Sequence, residues 1–100
     1  MPLTFSMEQN FPNPFFGETQ IRYQIPLNIG KVQEVRLDVF DISGKKIQTV
    51  NLEDATIGCH AVKIGGKNWT PGIYFMQLTV KTNQKILSLR RKMIHGAKEL

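Results

Sequence analysis

The sequence of 100 residues contains one cysteine, Cys59, and two histidines, His60 and His95. A single cysteine cannot form an internal disulfide bond, and it excludes a metal site built on several thiolates. We expect Cys59 to be a small core residue at the start of a strand. Neighbouring side chains in a strand point to opposite faces, so Cys59 and His60 are poorly placed to act as a catalytic pair. No Ser-His-Asp arrangement is suggested either, and we do not expect an enzyme.

Long apolar runs, ligand loops and a signal peptide are also missing. No stretch approaches the roughly 20 apolar residues of a membrane-spanning helix, and the first residues lack the basic and apolar regions of a signal peptide. The acidic pairs Asp38/Asp41 and Glu53/Asp54 lack the regular spacing of a calcium loop, so we interpret them as turn residues. The stretch 65–67 lacks the spacing of a phosphate-binding loop. We therefore predict no cofactor and no metal.

Positive charge is concentrated at one end of the chain. The net charge is +5, yet residues 1–80 carry seven basic and seven acidic residues, so the whole excess lies in residues 81–100. Such asymmetry indicates either a terminal segment with its own partner or an edge strand that resists aggregation. The basic segment has no interleaved aromatic residues, so nucleic acid is not an expected partner.

Alternation of apolar and polar residues dominates the rest of the sequence. Ile21, Tyr23 and Ile25, for example, share one face of a strand that Pro26 ends. The pattern predicts seven short strands, at residues 3–7, 19–25, 35–39, 45–50, 58–64, 73–80 and 86–94. No stretch has a helical period. We predict one domain over residues 1–100, an all-β, antiparallel β-sandwich.

Two stretches interrupt the alternation. Asp41 to Gly44 reads as a tight hairpin turn, because Asp can bond nearby backbone and Gly44 can supply a positive φ. Residues 10–16 combine prolines with three phenylalanines. We expect the prolines to hold this backbone outside the hydrogen-bonded ladder while the phenylalanines plug one end of the sandwich.

Six motifs occur in order along the chain, and together they support a resemblance. They are Asn10-Phe11-Pro12-Asn13-Pro14-Phe15, Thr19-x-Ile21-x-Tyr23-x-Ile25-Pro26, Val35-x-Leu37-x-Val39-Phe40-Asp41-x-x-Gly44-Lys45, Gly58-x-His60-x-Val62, Pro71-Gly72-Ile73-Tyr74-Phe75 and Arg91-Lys92-Met93-Ile94. Over about residues 8–94 the chain resembles the C-terminal sorting domain of proteins exported by the type IX secretion system. It is also similar to the immunoglobulin-like domain of the flagellar hook-capping protein.

The resemblance implies an immunoglobulin-like sandwich that lies at the C-terminus of a larger secreted protein. Such a domain is a non-catalytic export signal, which the outer-membrane secretion machinery recognises and a sortase-like peptidase removes. The attached cargo crosses the periplasm and outer membrane of a Gram-negative bacterium to the cell surface or the medium. Anionic lipopolysaccharide is a further candidate partner.

The resemblance also implies roles for particular residues. Asn10, Phe11, Pro12, Asn13, Pro14 and Phe15 would form the start of the domain. The residues expected to take part in recognition are Pro71, Gly72, Ile73, Tyr74, Arg90, Arg91, Lys92, Met93 and Ile94. The chain departs from the family pattern in a tail at residues 95–100, and in Trp69, where relatives usually have Leu.

Two other functions stay open at this point. The chain can be a structural assembly module of the hook-capping type. It can also be a carbohydrate-binding module of a secreted hydrolase, with Trp69, Tyr74 and Phe16 lining a sugar-binding face.

Overall fold

Two antiparallel sheets form the domain. The computed structural model describes residues 4–52, 56–66 and 69–96. Its strands are β1 (Ser6–Met7), β2 (Glu18–Ile25), β3 (Val32–Asp41), β4 (Lys46–Asn51), β5 (Gly58–Gly65), β6 (Gly72–Thr82) and β7 (Ile86–His95). One sheet has the order β1-β2-β5 and the other β4-β3-β6-β7. This architecture confirms the predicted all-β sandwich of seven strands, consistent with an immunoglobulin-like fold.

The core lies between the sheets and follows from the alternation in the sequence. In β6 every second residue from Tyr74 to Thr82 is buried, whereas the residues between them are half-buried or exposed. β2 shows the same period, with Ile21 and Ile25 fully buried. Burying these aliphatic side chains on both inner faces supplies the main stabilisation of the sandwich. Within the described ranges, no helix is long and apolar enough to cross a membrane.

Several strands extend beyond their predicted bounds because their partners extend them. β3 starts at Val32, which lies opposite Thr82 of β6, and β7 reaches His95, which lies opposite Gly72. His95 is therefore a buried strand residue, although the sequence assigned it to the tail. Leu3 of the first predicted strand, the acidic pair at 53 and 54, and tail residues 97–100 lie outside the described residues.

The turn between β3 and β4 is held by one carboxylate. Asp41 Oδ1 accepts hydrogen bonds from the backbone N–H groups of Ser43 at 2.9 Å and Lys45 at 3.0 Å. The hydrogen bonds from Ser43 and Lys45 lower the pKa of Asp41. Gly44 has a φ of 90°, a conformation that a residue with a Cβ atom rarely adopts.

Two expectations about burial are wrong. Cys59 is exposed, because it lies opposite Gln24 on the outer face of the β1-β2-β5 sheet. Of the three phenylalanines in residues 10–16, only Phe15 plugs the sandwich, at 0% exposure. Phe11 and Phe16 are 80% and 60% exposed.

Candidate recognition surface

Residues 8–16, which we name the entry segment, cross from one sheet to the other. At Phe11 the segment is bonded to β2, because the N–H groups of Phe11 and Gln20 each donate to the other's carbonyl at 2.9 Å. At Phe15 it is bonded to β7, where the Phe15 N–H donates to the carbonyl of Ile94 at 3.0 Å. The intervening prolines have no N–H group to leave unpaired at the crossing.

Asn10 anchors the segment from inside. Its side chain is 2% exposed, and Nδ2 donates to Thr19 Oγ1 and to the carbonyl of Pro12, both at 3.1 Å. The Thr19 hydroxyl donates to the same Pro12 carbonyl at 2.9 Å. These buried polar groups satisfy one another, which fixes the path of the chain around Pro12.

The entry segment and the residue before it cover one half of β7. Gln9 Nε2 donates to the carbonyl of Lys92 at 2.8 Å, and Asn13 Oδ1 accepts from the N–H of Ile94 at 3.0 Å. Arg91 Nε donates to the carbonyl of Met7 in β1, so this arginine links the two sheets. We call Arg91–His95 the covered half of β7 and Ile86–Arg90 the open half.

An aromatic cluster closes the same end of the sandwich. The Phe15 ring lies 4.9 Å from the His95 ring and 5.8 Å from the Trp69 ring, centroid to centroid, with edge-to-face geometry. The Trp69 ring lies 5.0 Å from that of Tyr74, whose hydroxyl donates to the carbonyl of Thr70. Phe15 therefore holds the start of the domain onto the start of β6 and the end of β7.

Residues 9–94 match the family model of the secretion system C-terminal sorting domain. The chain belongs to this family. Its members act as C-terminal sorting signals in type IX secretion, and secretion of this protein follows from its membership. Comparisons with curated proteins and with solved structures give no match.

The sorting domain separates the residues predicted for recognition into three groups. Arg90, Lys92, Ile94 and Ile73 lie on the outer face of the four-stranded sheet, because they alternate with inward-facing residues. Met93 and Tyr74 are buried in the core. Arg91 faces the gap between the sheets, and the exposed Pro71 and Gly72 lie at the aromatic end. A partner can therefore contact the outer-face residues, Arg91, Pro71 and Gly72 directly, but it cannot contact Met93 or Tyr74.

The outer face of the four-stranded sheet combines charge with apolar surface. One row of paired residues crosses all four strands in the order Lys46, Phe40, Phe75 and Lys92. The guanidinium carbon of Arg90 lies 5.3 Å from the centroid of the Phe40 ring and 5.8 Å from that of Phe75. We call this surface the cationic face. No pattern in the sequence identifies Arg90 as the cover of Phe40.

Asp38 is the buried carboxylate of the cationic face. Burial alone would raise its pKa, but hydrogen bonds from Thr49 and Arg36 and the nearby charges of Arg36 and Lys46 outweigh that effect, so the pKa is lowered. The distances are 2.9 Å from Thr49 Oγ1, 3.0 Å from Arg36 Nε and 3.5 Å from Lys46 Nζ. Asp38 therefore stays ionised, with partners on its own strand and on β4.

The remaining candidates give no second site of comparable definition. In the described part of the chain, no three His, Cys, Asp or Glu residues are grouped as metal ligands would be. A shallow depression at the aromatic end is lined by Phe16, Trp69, Pro71 and His95, together with Gly17, Gly66 and Gly96. Tyr74, the third residue predicted for a sugar-binding face, is buried instead. Carbohydrate binding stays a prediction.

Proposed function

We propose that this domain directs an attached secreted protein across the outer membrane through the type IX machinery, and that the cationic face is the surface that the machinery contacts. Family membership supports the sorting role. The observation that carries the assignment of the surface is the array of exposed Arg90, Lys92 and Ile94 beside half-buried Ile73, on one face of adjacent strands. Met93, between Lys92 and Ile94, has a supporting role in the core.

The entry segment has a structural part in this proposal. It covers the Arg91–His95 half of the β7 edge and so fixes the part of the strand from which Lys92 and Ile94 project. A sortase-like peptidase would act on the chain before the entry segment, since cleavage within residues 10–15 would separate the buried Asn10 anchor from the Phe15 plug. Transfer of the released cargo to anionic lipopolysaccharide would follow that cleavage.

A reporter-export assay tests the proposal. A periplasmic reporter is fused ahead of residues 1–100 in a bacterium that has the type IX machinery. Double charge reversal at Arg90 and Lys92, each to Glu, should leave the reporter in the periplasm. Truncation before Arg90 is a poorer test, because it removes Met93 and His95 from the folded core.

The matched control reverses the same amount of charge on the opposite face. Arg22 and Lys63 are exposed on the outer face of the β1-β2-β5 sheet. Their replacement by Glu should leave export intact. Export of both folded variants would show that the cationic face is not read, and equal retention of both would mean that overall charge matters instead.

A further inference from the structure

Arg90 is held in one orientation by its neighbours. Its guanidinium group lies over Phe40 and Phe75 and donates through Nη2 to Gln77 Oε1 at 3.2 Å. Two rings below a planar cation and one fixed hydrogen bond reduce the conformational freedom of this long side chain. Arg90 is nevertheless exposed, and its other N–H groups have no hydrogen-bond partner within the described ranges.

The closest carboxylate in register does not neutralise Arg90. Asp38 is opposite Gln77, and Gln77 is opposite Arg90, so the three residues form one row across the sheet. The oxygens of Asp38, however, form ion pairs with Arg36 and Lys46. Among residues 4–52, 56–66 and 69–96, no carboxylate forms an ion pair with Arg90.

A second cation and an apolar pair continue the surface along β7. Lys92 is two residues after Arg90 and on the same face, and Ile94 follows at the same interval. Ile94 is 38% exposed and lies opposite Ile73. Along β7 the cationic face therefore presents two cations and then an aliphatic contact, at intervals of about 7 Å.

We infer that Arg90 and Lys92 bind two carboxylates of an acidic, extended polypeptide segment, whose next outward residue packs on Ile94 and Ile73. The guanidinium can accept a carboxylate in a two-point hydrogen bond, for which its held orientation prepares it. Acidic side chains at positions i and i+2 of an extended segment match the spacing of Arg90 and Lys92. The inference rests on the proposed function for the source of the partner.

Two other occupants fit the cationic face less well. A sugar ring would stack on an exposed aromatic face, but the guanidinium of Arg90 lies over both Phe40 and Phe75. A lipid surface would favour apolar side chains that protrude, whereas Ile73 is half-buried and Ile94 is only 38% exposed. Paired cations beside aliphatic groups complement an acidic segment with one apolar residue.

NMR titration of the isotope-labelled domain tests this inference. The probe is the peptide acetyl-Glu-Thr-Glu-Thr-Leu-amide, and its control is the same peptide with Gln in place of both Glu residues. We expect the acidic peptide to shift the amide signals of Ile73, Phe75 and Lys92, with the Gln peptide having little effect. Equal responses to the two peptides, or no response to the acidic one, would overturn the inference.

Matched variants locate the carboxylate receptor. Arg90→Gln should weaken binding of the acidic peptide about tenfold, the loss expected for one charge-assisted hydrogen-bonded pair. Arg90→Lys keeps the charge without the two-point geometry and should give an intermediate loss. Lys81→Gln removes an exposed charge further along the same face and should bind as the unaltered domain does. Unchanged binding by Arg90→Gln would contradict the assignment.

Two further titrations test a lipid surface and a polysaccharide as partners. Vesicles of phosphatidylglycerol and soluble polygalacturonate present anionic groups on a lipid surface and on a polysaccharide. A response to either one that exceeds the response to the acidic peptide would overturn the choice of a polypeptide. Export is scored separately. Peptide binding without export would count against the proposed function alone, and export without peptide binding would count against this inference alone.

Discussion

From Ile86 to Arg90 the outer edge of β7 faces no other described strand, whereas from Arg91 to His95 the same edge is covered by the entry segment. Alternation along a strand is the same in both halves, so the difference is not one of local structure. It arises from residues more than 80 positions earlier in the chain, among them Asn13, which is separated from Ile94 by 81 residues. Among the described residues, the edge of the covered half is therefore hydrogen-bonded to the entry segment, and the edge of the open half is not.

The difference between the two halves changes how substitutions in residues 10–15 should be interpreted. A substitution at Asn10 or Asn13 alters the support of β7 even if neither side chain touches a partner. A loss of export in such a variant can therefore reflect displacement of Lys92 or Ile94. The start of the sorting domain and its last strand form one structural unit, although they are at opposite ends of the sequence.

The largest effect on stability should come from Phe15, the ring of the entry segment that packs beside the covered half of β7. Phe15→Ala should lower the free energy of unfolding by about 3–5 kcal/mol, because it removes a fully buried ring and leaves a cavity. Phe11→Ala is the control, since Phe11 is exposed, and it should change stability by less than about 0.5 kcal/mol. Urea unfolding measures both values. Similar losses in the two variants would contradict the assigned roles.

Proline substitution separates the two halves of the edge directly. Ile94 donates its N–H to Asn13, whereas the N–H of Ser88, six residues earlier, points to the same edge in the open half, which no described strand covers. Ile94→Pro should therefore cost about 1–3 kcal/mol more than Ser88→Pro. Thermal melting of the two variants checks the difference. Equal destabilisation would mean that the entry segment does not protect the edge.

Acid should weaken the cationic face beside the open half. The pKa of Asp38 is lowered from its usual 3.8 by Thr49, Arg36 and Lys46, so ionised Asp38 stabilises the folded state. That contribution is complete above about pH 5 and is lost as the pH falls through the lowered pKa. Asp38→Asn should cost about 1 kcal/mol at neutral pH, a modest value because Arg36 and Lys46 are partly exposed to water.

The Asp38→Asn variant should also lose stability less steeply than the unaltered domain as the pH falls below 4. Circular dichroism during acid titration measures this slope. Hydrogen exchange at the Ile94 amide at neutral pH is the internal control and should be the same in both proteins, because the entry segment does not contact Asp38. Identical acid profiles would rule out Asp38 as a source of pH dependence.

The smallest predicted change affects one hydrogen bond of the covered half. Asn13→Ala removes the acceptor of the Ile94 N–H and should cost about 0.5–1 kcal/mol. Hydrogen exchange at Ile94 should then be about fivefold faster, while exchange at Leu89 in the open half is unchanged. An unaltered rate at Ile94 would mean that the Asn13 amide does not protect this edge in solution.

The sequence predicted the strands better than it predicted the contacts between distant segments. Period-two alternation predicted all seven strands, because burial on one face of a sheet imposes that period. The same reasoning failed at Cys59, since a period assigns residues to two faces without saying which of them is inside.

The parts that could not be predicted depend on long-range register. The choice of Phe15 rather than Phe11 or Phe16 as the buried ring depends on the pairing of the entry segment with Ile94. Likewise, Arg90 meets Phe40 only because β3 and β7 both pair with β6. Neither fact has a local signal, although the resemblance did single out both segments.

The bond between the entry segment and β7 also has a consequence for the order of synthesis. A ribosome makes the entry segment before β7, so Phe15 and Asn13 have no partners on this strand until β7 has emerged. A prematurely ended chain that lacks β7 would leave an unpaired edge on β6 and an unfilled end of the sandwich, features that favour aggregation and proteolysis. Closure of this end of the sandwich therefore depends on the presence of β7.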